Sequence, residues 1–344
     1  MDTLLVTRGS KENKFGISSR KYISKIQPQY SWYNALINLN YKVKIHVVQP
    51  NLNLKFRILN NLTPFISSIE LFFTVLLNNS SMNYILVSGG IGKIASIFLL
   101  VIKYIFKKKI IYLNGTSPKF FNYDSFEHRL ASKSNLIVTN SESQLLHWKN
   151  ISLNNKITYP ISGCDIYHNN FIFNKTPKYD ITFIGSLDED IYKFRIKYLI
   201  LMKEFNLNIW SSSKNIKELL KKYNLLKFYR GPCNRLESFK IYNDSKIVLN
   251  IQHIESMSNG GNLSLFEIPF SKGFQITNVC SENYFTIDKE IIIFNDHDDL
   301  ISKINFFMKK IKLRENIIKN AFLKCVSHHT YEKRFSNFLN IINN

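Results

Sequence analysis

Apolar positions along this chain fall into short continuous runs, separated by stretches with helical spacing. LLVT (4–7) reads as a buried strand, and the loop after it holds Gly9, Ser10 and Gly16. YSWYNALINL (30–39) repeats its apolar residues at helical intervals, and YKVKIHVVQ follows as a second strand. NYILVSGG (83–90) is a strand that ends on glycine, KIASIFLLVIKYIF (93–106) a helix, and KIIYLNGT (109–116) a strand running into a loop. NLIVTNSE (135–142) is another strand, and Ser141 at its end suits the N-cap of a following helix. Strands alternating with helices predict parallel β-α-β units. Several of these strands end in glycine or small polar residues, and such ends line the crevice where open α/β sheets take ligands.

The periodicity stops at residues 161–180, ISGCDIYHNNFIFNKTPKYD, which reads as a linker between a first domain (1–160) and a second (181–325). Alternation then resumes. YDITFIGS (179–186) is a strand, FRIKYLILMKEF a helix, LNIWSSS a strand, and NIKELLKKYNL and RLESFKIYNDS two helices. KIVLNIQ (246–252) is a strand, followed by a loop at 256–262, a helix from about 263 to 271 and a strand at GFQIT. The expected class is α/β, with two Rossmann-like halves facing a cleft.

Composition adds size and charge to this picture. With 344 residues, 45% of them hydrophobic, the chain can bury two cores. Its 46 Lys and Arg against 25 Asp and Glu give a formal net charge of +21. That balance points to anionic partners: nucleic acid, an anionic membrane surface or phosphorylated substrates. A Lys-, Asn- and Ile-rich coding background accounts for part of it equally well. No basic-aromatic module is visible, so nucleic acid is not expected as a partner. Cys164, Cys233, Cys280 and Cys325 are scattered, which argues against a zinc site or a disulfide framework. The N-terminus lacks a basic segment followed by an apolar one, so the expected location is cytoplasmic. The most apolar run, 94–106, contains Lys103 and is too short to span a bilayer. It reads as a core helix or, with Lys107, Lys108 and Lys109 after it, as a peripheral membrane-docking one.

The candidate chemistry concentrates in SNGGNLSLFEIPFSKGFQIT (258–277). Gly260 and Gly261 precede a helix whose N-terminus favours anions such as a diphosphate, although a Gly-Gly pair also serves as a plain turn. Glu267, between Phe266 and Ile268, is a carboxylate in an apolar setting and needs a partner, either a neighbouring loop or a ligand diol. Arg195 and Lys193, after Gly185 and Ser186, could clamp a phosphate at a helix start or simply face solvent. In the first half, Gly9, Ser10, Ser88, Gly89 and Gly90 offer donors at strand ends, with Asn114, Asp124 and His128 after another strand. No Walker loop, His-Glu-x-x-His, Gly-x-Ser-x-Gly or Gly-x-Gly-x-x-Gly is present, and no obvious Asp-x-Asp. His328 and His329 are adjacent and point apart on a helix, so a structural role is expected rather than a metal site.

The order of these motifs resembles GT-B glycosyltransferases, in particular the CgeB-like group. The resemblance rests on YDITFIGSLDEDIYKFRIKYL, IYNDSKIVLNIQ, LFEIPFSKGFQITN and a tail containing His329, Tyr331 and Arg334. It implies a nucleotide-sugar co-substrate, no resident cofactor or metal, and a glycan, lipid-linked or protein acceptor. The donor would meet Gly185, Ser186, Asn250, Asn259, Gly260, Gly261, Asn262, Ser264 and Glu267, the last holding the ribose. Arg195, Lys193 and Glu267 would form the catalytic group, while Gly9, Ser10, Ser88, Gly89, Gly90, Asn114 and His128 would face the acceptor. A final helix, 326–344, would pack back on the first domain. The chain departs from the group in having Asn259 where related enzymes carry an acid, and Ser264 where an arginine is common. Arg195 or Lys193 would then supply the charge. The alternatives are a non-catalytic nucleotide-sugar- or glycan-binding relative and, last, a nucleic-acid-binding protein.

Overall fold

The computed structural model describes residues 2–8, 27–48, 57–115, 126–151, 156–166, 176–253 and 260–344. They divide into two compact units, one of Met1–Ile161 with Tyr331–Asn344, the other of Ser162–Thr330.

The first unit is built on a parallel sheet of β1 (Asp2–Arg8), β2 (Lys42–Val48), β3 (Met82–Ser88), β4 (Lys109–Leu113), β5 (Leu136–Val138) and β6 (Lys156–Thr158). Its spatial order is β2-β1-β3-β4-β5-β6. Because helices cover both faces of such a sheet, its central strands β3, β4 and β5 are almost continuously apolar, whereas the edge strand β2 alternates in its first half. In β3, Tyr84, Ile85, Leu86 and Val87 are all fully buried. The helices are α1 (Pro28–Asn38), α2 (Arg57–Leu77), α3 (Lys93–Phe106), α4 (Phe126–Lys133) and α5 (Glu142–Ile151). Ser141 does cap α5, its Oγ accepting the Gln144 N–H at 3.4 Å. Leu71 and Val75 of α2 and Ala95, Leu99 and Ile102 of α3 share a core with the strands.

The second unit repeats the plan with β7 (Tyr179–Ile184), β8 (Leu207–Trp210), β9 (Tyr229–Gly231), β10 (Ser245–Asn250), β11 (Gln275–Thr277) and β12 (Ile292–Ile293), in the order β12-β11-β10-β7-β8-β9. Its helices are α6 (Glu189–Leu201), α7 (Ile216–Lys222), α8 (Arg235–Asn243), α9 (Leu263–Phe270), α10 (His297–Lys309) and α11 (Ile311–His328). One face of the sheet, with Ile181, Phe183, Ile247, Leu249 and Ile276, packs on Ile196, Leu199, Leu300, Ile304 and Ile317. Across the other face, Val248 meets Phe239 and Tyr242 of α8 and Ile268 of α9.

The last helix, α12 (Tyr331–Asn343), belongs to the first unit, where the Phe335 ring packs tilted against Trp32 of α1 with centres 6.3 Å apart and Glu332 accepts from Asn38 at 3.1 Å. His329 is buried among Phe266, Tyr284 and Phe285, with Nε2 2.8 Å from the Tyr284 carbonyl, whereas His328 is exposed. The pair therefore does point apart.

Several elements have no counterpart in the periodicity, among them β6, β9 and β12, which are two- or three-residue edge strands, and the helices α2 and α4. Strands that short carry no period. Helix α2 is obscured by Pro64, which lacks the N–H that continues a helical ladder. The Pro64 carbonyl instead receives the Ser67 and Ser68 hydroxyls.

Phe335→Ala removes a fully buried ring and should destabilise the first unit by about 3–5 kcal/mol. Hydrogen exchange should accelerate in β3 and β4 and stay unchanged in β7 and β10. Equal acceleration in both units would show that they do not hold separate cores.

Candidate active site

In the second sheet the strand order reverses between β7 and β10, so their C-terminal ends flank the crevice where ligands bind in open α/β sheets. Arg195 sits at this split. Its Nε donates to the Ile251 carbonyl after β10 at 2.8 Å, and an Nη donates to the Ser186 carbonyl after β7 at 2.9 Å. The guanidinium also lies 4.0 Å from the Tyr192 ring centre. Burial lowers its pKa to about 10, and Tyr192 opposes that. Arg195 was expected at a helix start with its fork open. It is instead in the middle of α6, because Asp188 caps that helix earlier by accepting the Asp190 and Ile191 N–H groups. Two of its five donors go to carbonyls, so it pins the two strand ends together. Lys193, on the same helix, is exposed and does not join this group. Phe194 and Tyr192 meet His253 at 5.4 and 6.3 Å, an aromatic cluster beside the split that the sequence reading missed.

The glycine loop enters α9 through a closed set of amides. Asn250 and Asn262 exchange side-chain hydrogen bonds of 3.1 and 2.8 Å, and Asn262 Oδ1 also caps the Leu265 N–H at 2.9 Å. Gln252 Oε1 accepts the Asn262 N–H, and its Nε2 donates to the Val279 carbonyl. Asn250 and Asn262 were expected to meet the donor; their amides shape the loop. Gly260 and Gly261 are buried at the helix entrance. A Cβ on Gly261 would lie 2.4 Å from Leu265 Cδ2 and 3.1 Å from Phe266 Cε2, so a side chain there would force both to shift. Gly185 lies at the end of β7 with its N–H on the Trp210 carbonyl, and Ser186 is exposed. Ser264 Oγ is 3.5 Å from the Tyr242 hydroxyl. Asn259 lies outside the described residues.

Glu267 has a protein partner. Its Oε1 accepts from Arg235 Nε at 2.5 Å, with side-chain exposures of 5% and 7%. Desolvation pushes the Glu267 carboxyl up from its usual value, Arg235 opposes the rise, and buried Asp165 adds to it. Tyr242, buried beside the pair, is also pushed up, first by burial and then by Glu267. Arg235 thus brings a cation from α8 to the carboxylate of α9. The sequence does carry a signal for it: Arg235 opens α8, where a positive charge opposes the helix dipole and calls for a carboxylate.

In the first unit, the Gly89 and Gly90 N–H donors expected to face an acceptor are spent internally. The Glu127 carboxylate accepts the Gly90 and Gly92 N–H groups ahead of α3, and Tyr112 donates to it at 2.7 Å. Burial, reinforced by Glu127, holds the Tyr112 hydroxyl well above its usual pKa. Gly89 N–H goes to the Leu113 carbonyl, and Ser88 Oγ accepts from Gln29. Asn114 is buried, and His128 is buried against Trp148 at 5.2 Å. Gly9, Ser10 and Asp124 lie outside the described residues.

Two Asp-x-Asp strings do occur, at Asp188–Asp190 and Asp296–Asp298, contrary to the expectation of none. Asp188 and Asp296 are helix N-caps, and their side chains hold backbone N–H groups. Among the described residues no three His, Cys, Asp or Glu side chains converge in a metal-binding group, and the four cysteines are unpaired thiols.

Residues 195–340 match the family described as glycosyl transferase-like. No curated protein matches the chain in sequence. Among solved structures, the Anabaena protein HepE in complex with UDP is 12% identical, with 98% of this chain and 99% of that one covered and a TM-score of 0.60. A DNA-modifying β-glucosyltransferase studied with and without uridine diphosphoglucose is 14% identical, with full coverage of both chains and a TM-score of 0.65. The catalytic domain of starch synthase IV from Arabidopsis thaliana, bound to ADP and acarbose, is 8% identical, covering 100% and 99%, with a TM-score of 0.65. The two parallel six-stranded sheets with their helices are the GT-B fold.

Gly261→Ala should cost the second unit about 1–3 kcal/mol through overpacking against Leu265, read as a lower unfolding midpoint. A carboxyl whose folded pKa is raised binds more protons folded than unfolded, so its contribution to stability falls as pH rises through and above the usual value of 4.5. Relative to Glu267→Gln, the wild type should therefore lose stability from about pH 4.5 upward. A gain over that range would mean that Arg235 outweighs burial.

Proposed function

We propose that the protein is a glycosyltransferase of the CgeB-like kind, moving a sugar from a nucleotide-sugar to a glycan, glycolipid or protein acceptor without a metal. The observation that carries this reading is the glycine loop at the N-terminus of α9, followed one turn later by a carboxylate fixed by Arg235. It is supported by the glycosyl transferase-like match over 195–340. The Gly260 and Gly261 backbone and the helix N-terminus take the diphosphate. Glu267, oriented by Arg235, takes the ribose hydroxyls. The donors that Arg195 does not use on carbonyls face the leaving phosphate at the strand split. The bond from the anomeric carbon to the diphosphate breaks, the acceptor hydroxyl oxygen forms the new one, and its proton passes to the released diphosphate. Catalysis consists of holding the two in line and stabilising the charge that leaves.

The reading includes a cytoplasmic protein that docks peripherally on an anionic membrane. No helix among the described residues is long and apolar enough to cross one. The first unit exposes Leu62, Phe65, Ile66, Phe73, Leu76 and Leu77 along α2 and Val101, Tyr104 and Ile105 along α3. Phe65–Phe98 and Phe72–Phe106 ring contacts set the two helices side by side, and Lys107 and Lys109 lie exposed beyond the end of α3. An apolar face rimmed by lysines suits an anionic bilayer surface.

Titration with UDP-, GDP- and dTDP-sugars should find one that binds and is turned over, with activity retained in EDTA. Glu267→Gln should weaken nucleotide-sugar binding at least about tenfold, the scale of a lost charge-assisted contact. Binding without hydrolysis or transfer to any acceptor would favour the non-catalytic alternative. No binding by any nucleotide-sugar would overturn the proposal. Flotation with anionic vesicles should carry the wild type but not Phe73→Asp/Leu77→Asp, whereas comigration of both would remove α2 from the membrane reading.

A further inference from the structure

A cavity of about 270 Å³ opens in the second unit at the edge of the sheet where β7 and β10 begin, the opposite edge from the glycine loop. Its walls combine an apolar side, from Pro177, Ile311 and Ile318, with four basic side chains, Lys246, Lys272, Arg314 and Lys319, against the single acid Glu315. Lys246 is matched by Asp180 at 2.5 Å. Arg314 is 6% exposed, and its guanidinium donates to the Phe307 and Met308 carbonyls. That caps the end of α10 with neutral hydrogen-bond partners and leaves Glu315 as the acid whose charge acts on the buried guanidinium, against the four cations of the lining, an excess that a further anion would offset. The first turn of α11, an eighteen-residue helix, borders the same cavity with no acidic residue and no side-chain cap, which adds the positive end of its dipole. Lys272 is held at the rim, its ammonium 4.9 Å from the Phe322 ring centre.

We propose that this cavity is a second binding site, for a small amphipathic anion: a phosphate head against Lys272, Arg314 and Lys319, and an aliphatic tail against Pro177, Ile311 and Ile318. It stands apart from the nucleotide-sugar reading, because none of its lining residues belongs to the glycine loop or to the β7–β10 strand ends that Arg195 joins. The apolar wall is what distinguishes it from a simple phosphate site. Ile311 leaves 57% of its surface open, and Ile318 lies two turns on along the same helix face.

Calorimetric titration with octyl phosphate below its micelle concentration is the test, with inorganic phosphate and octyl glucoside as the anion-only and tail-only probes. Octyl phosphate should bind saturably, one per chain, and at least about tenfold tighter than either partial probe, since head and tail each contribute. Lys272→Glu and Ile318→Asp should each weaken it about tenfold or more, while Lys217→Glu, an exposed charge reversal on α7, should leave it unchanged. Lys319→Glu, on the exposed side of α11, serves if either variant lowers the unfolding midpoint. The proposal is overturned by absence of saturable binding, by equal binding of a partial probe, by equal loss in Lys217→Glu, or by displacement with UDP.

Discussion

A carboxylate buried on a helix between Phe266 and Phe270 has to be balanced by charge from somewhere else in the fold. Glu267 sits in that position, and Arg235 balances it across the contact between α8 and α9. Removing one member of a buried pair typically costs about 3–5 kcal/mol, because the other is left charged and desolvated. The pair therefore fixes how α8 and α9 pack and where the first turn of α9 lies. The glycine loop inherits its position from that turn through Asn262, which caps α9 and is locked to Asn250 and Gln252.

The same economy of internal partners recurs at other strand ends that carry candidate ligand groups. Glu127 fills the glycine turn ahead of α3 with a carboxylate from the chain itself. Arg195 holds the β7 and β10 ends together with two of its donors. Buried backbone and side-chain groups must find partners, and at the ends of parallel strands helices cannot supply all of them. Long side chains from neighbouring helices do so, which fixes the crevice before any ligand arrives.

The second unit thus presents two chemically different edges. At the C-terminal strand ends the groups are amides, glycine backbone and one anchored arginine, arranged for a polar ligand. At the N-terminal ends the walls are isoleucine, proline and lysine, with α11 directing its positive end between them. The net charge of +21 is consequently not uniform in effect: part of it is spent on carbonyls and aromatic faces, as at Arg195, Arg314 and Lys272.

Local pattern alone determined the class. Apolar runs such as YILV and IVL, alternating with helical segments, point to parallel strands beneath helices, and small or polar residues at their ends mark the edge where such sheets take ligands. The loop-to-helix entry at Gly260–Leu263 and the structural role of His329 were legible for the same reason, since each follows from residue spacing within one element. What sequence could not supply was partnership across elements. Glu267 lies 32 positions from Arg235, and Arg195 lies 56 from Ile251, so no periodicity connects them. Helix α2 was hidden by Pro64, and the edge strands by their length. Only the tertiary structure decided which polar groups meet, because that depends on which helices share a face of the sheet.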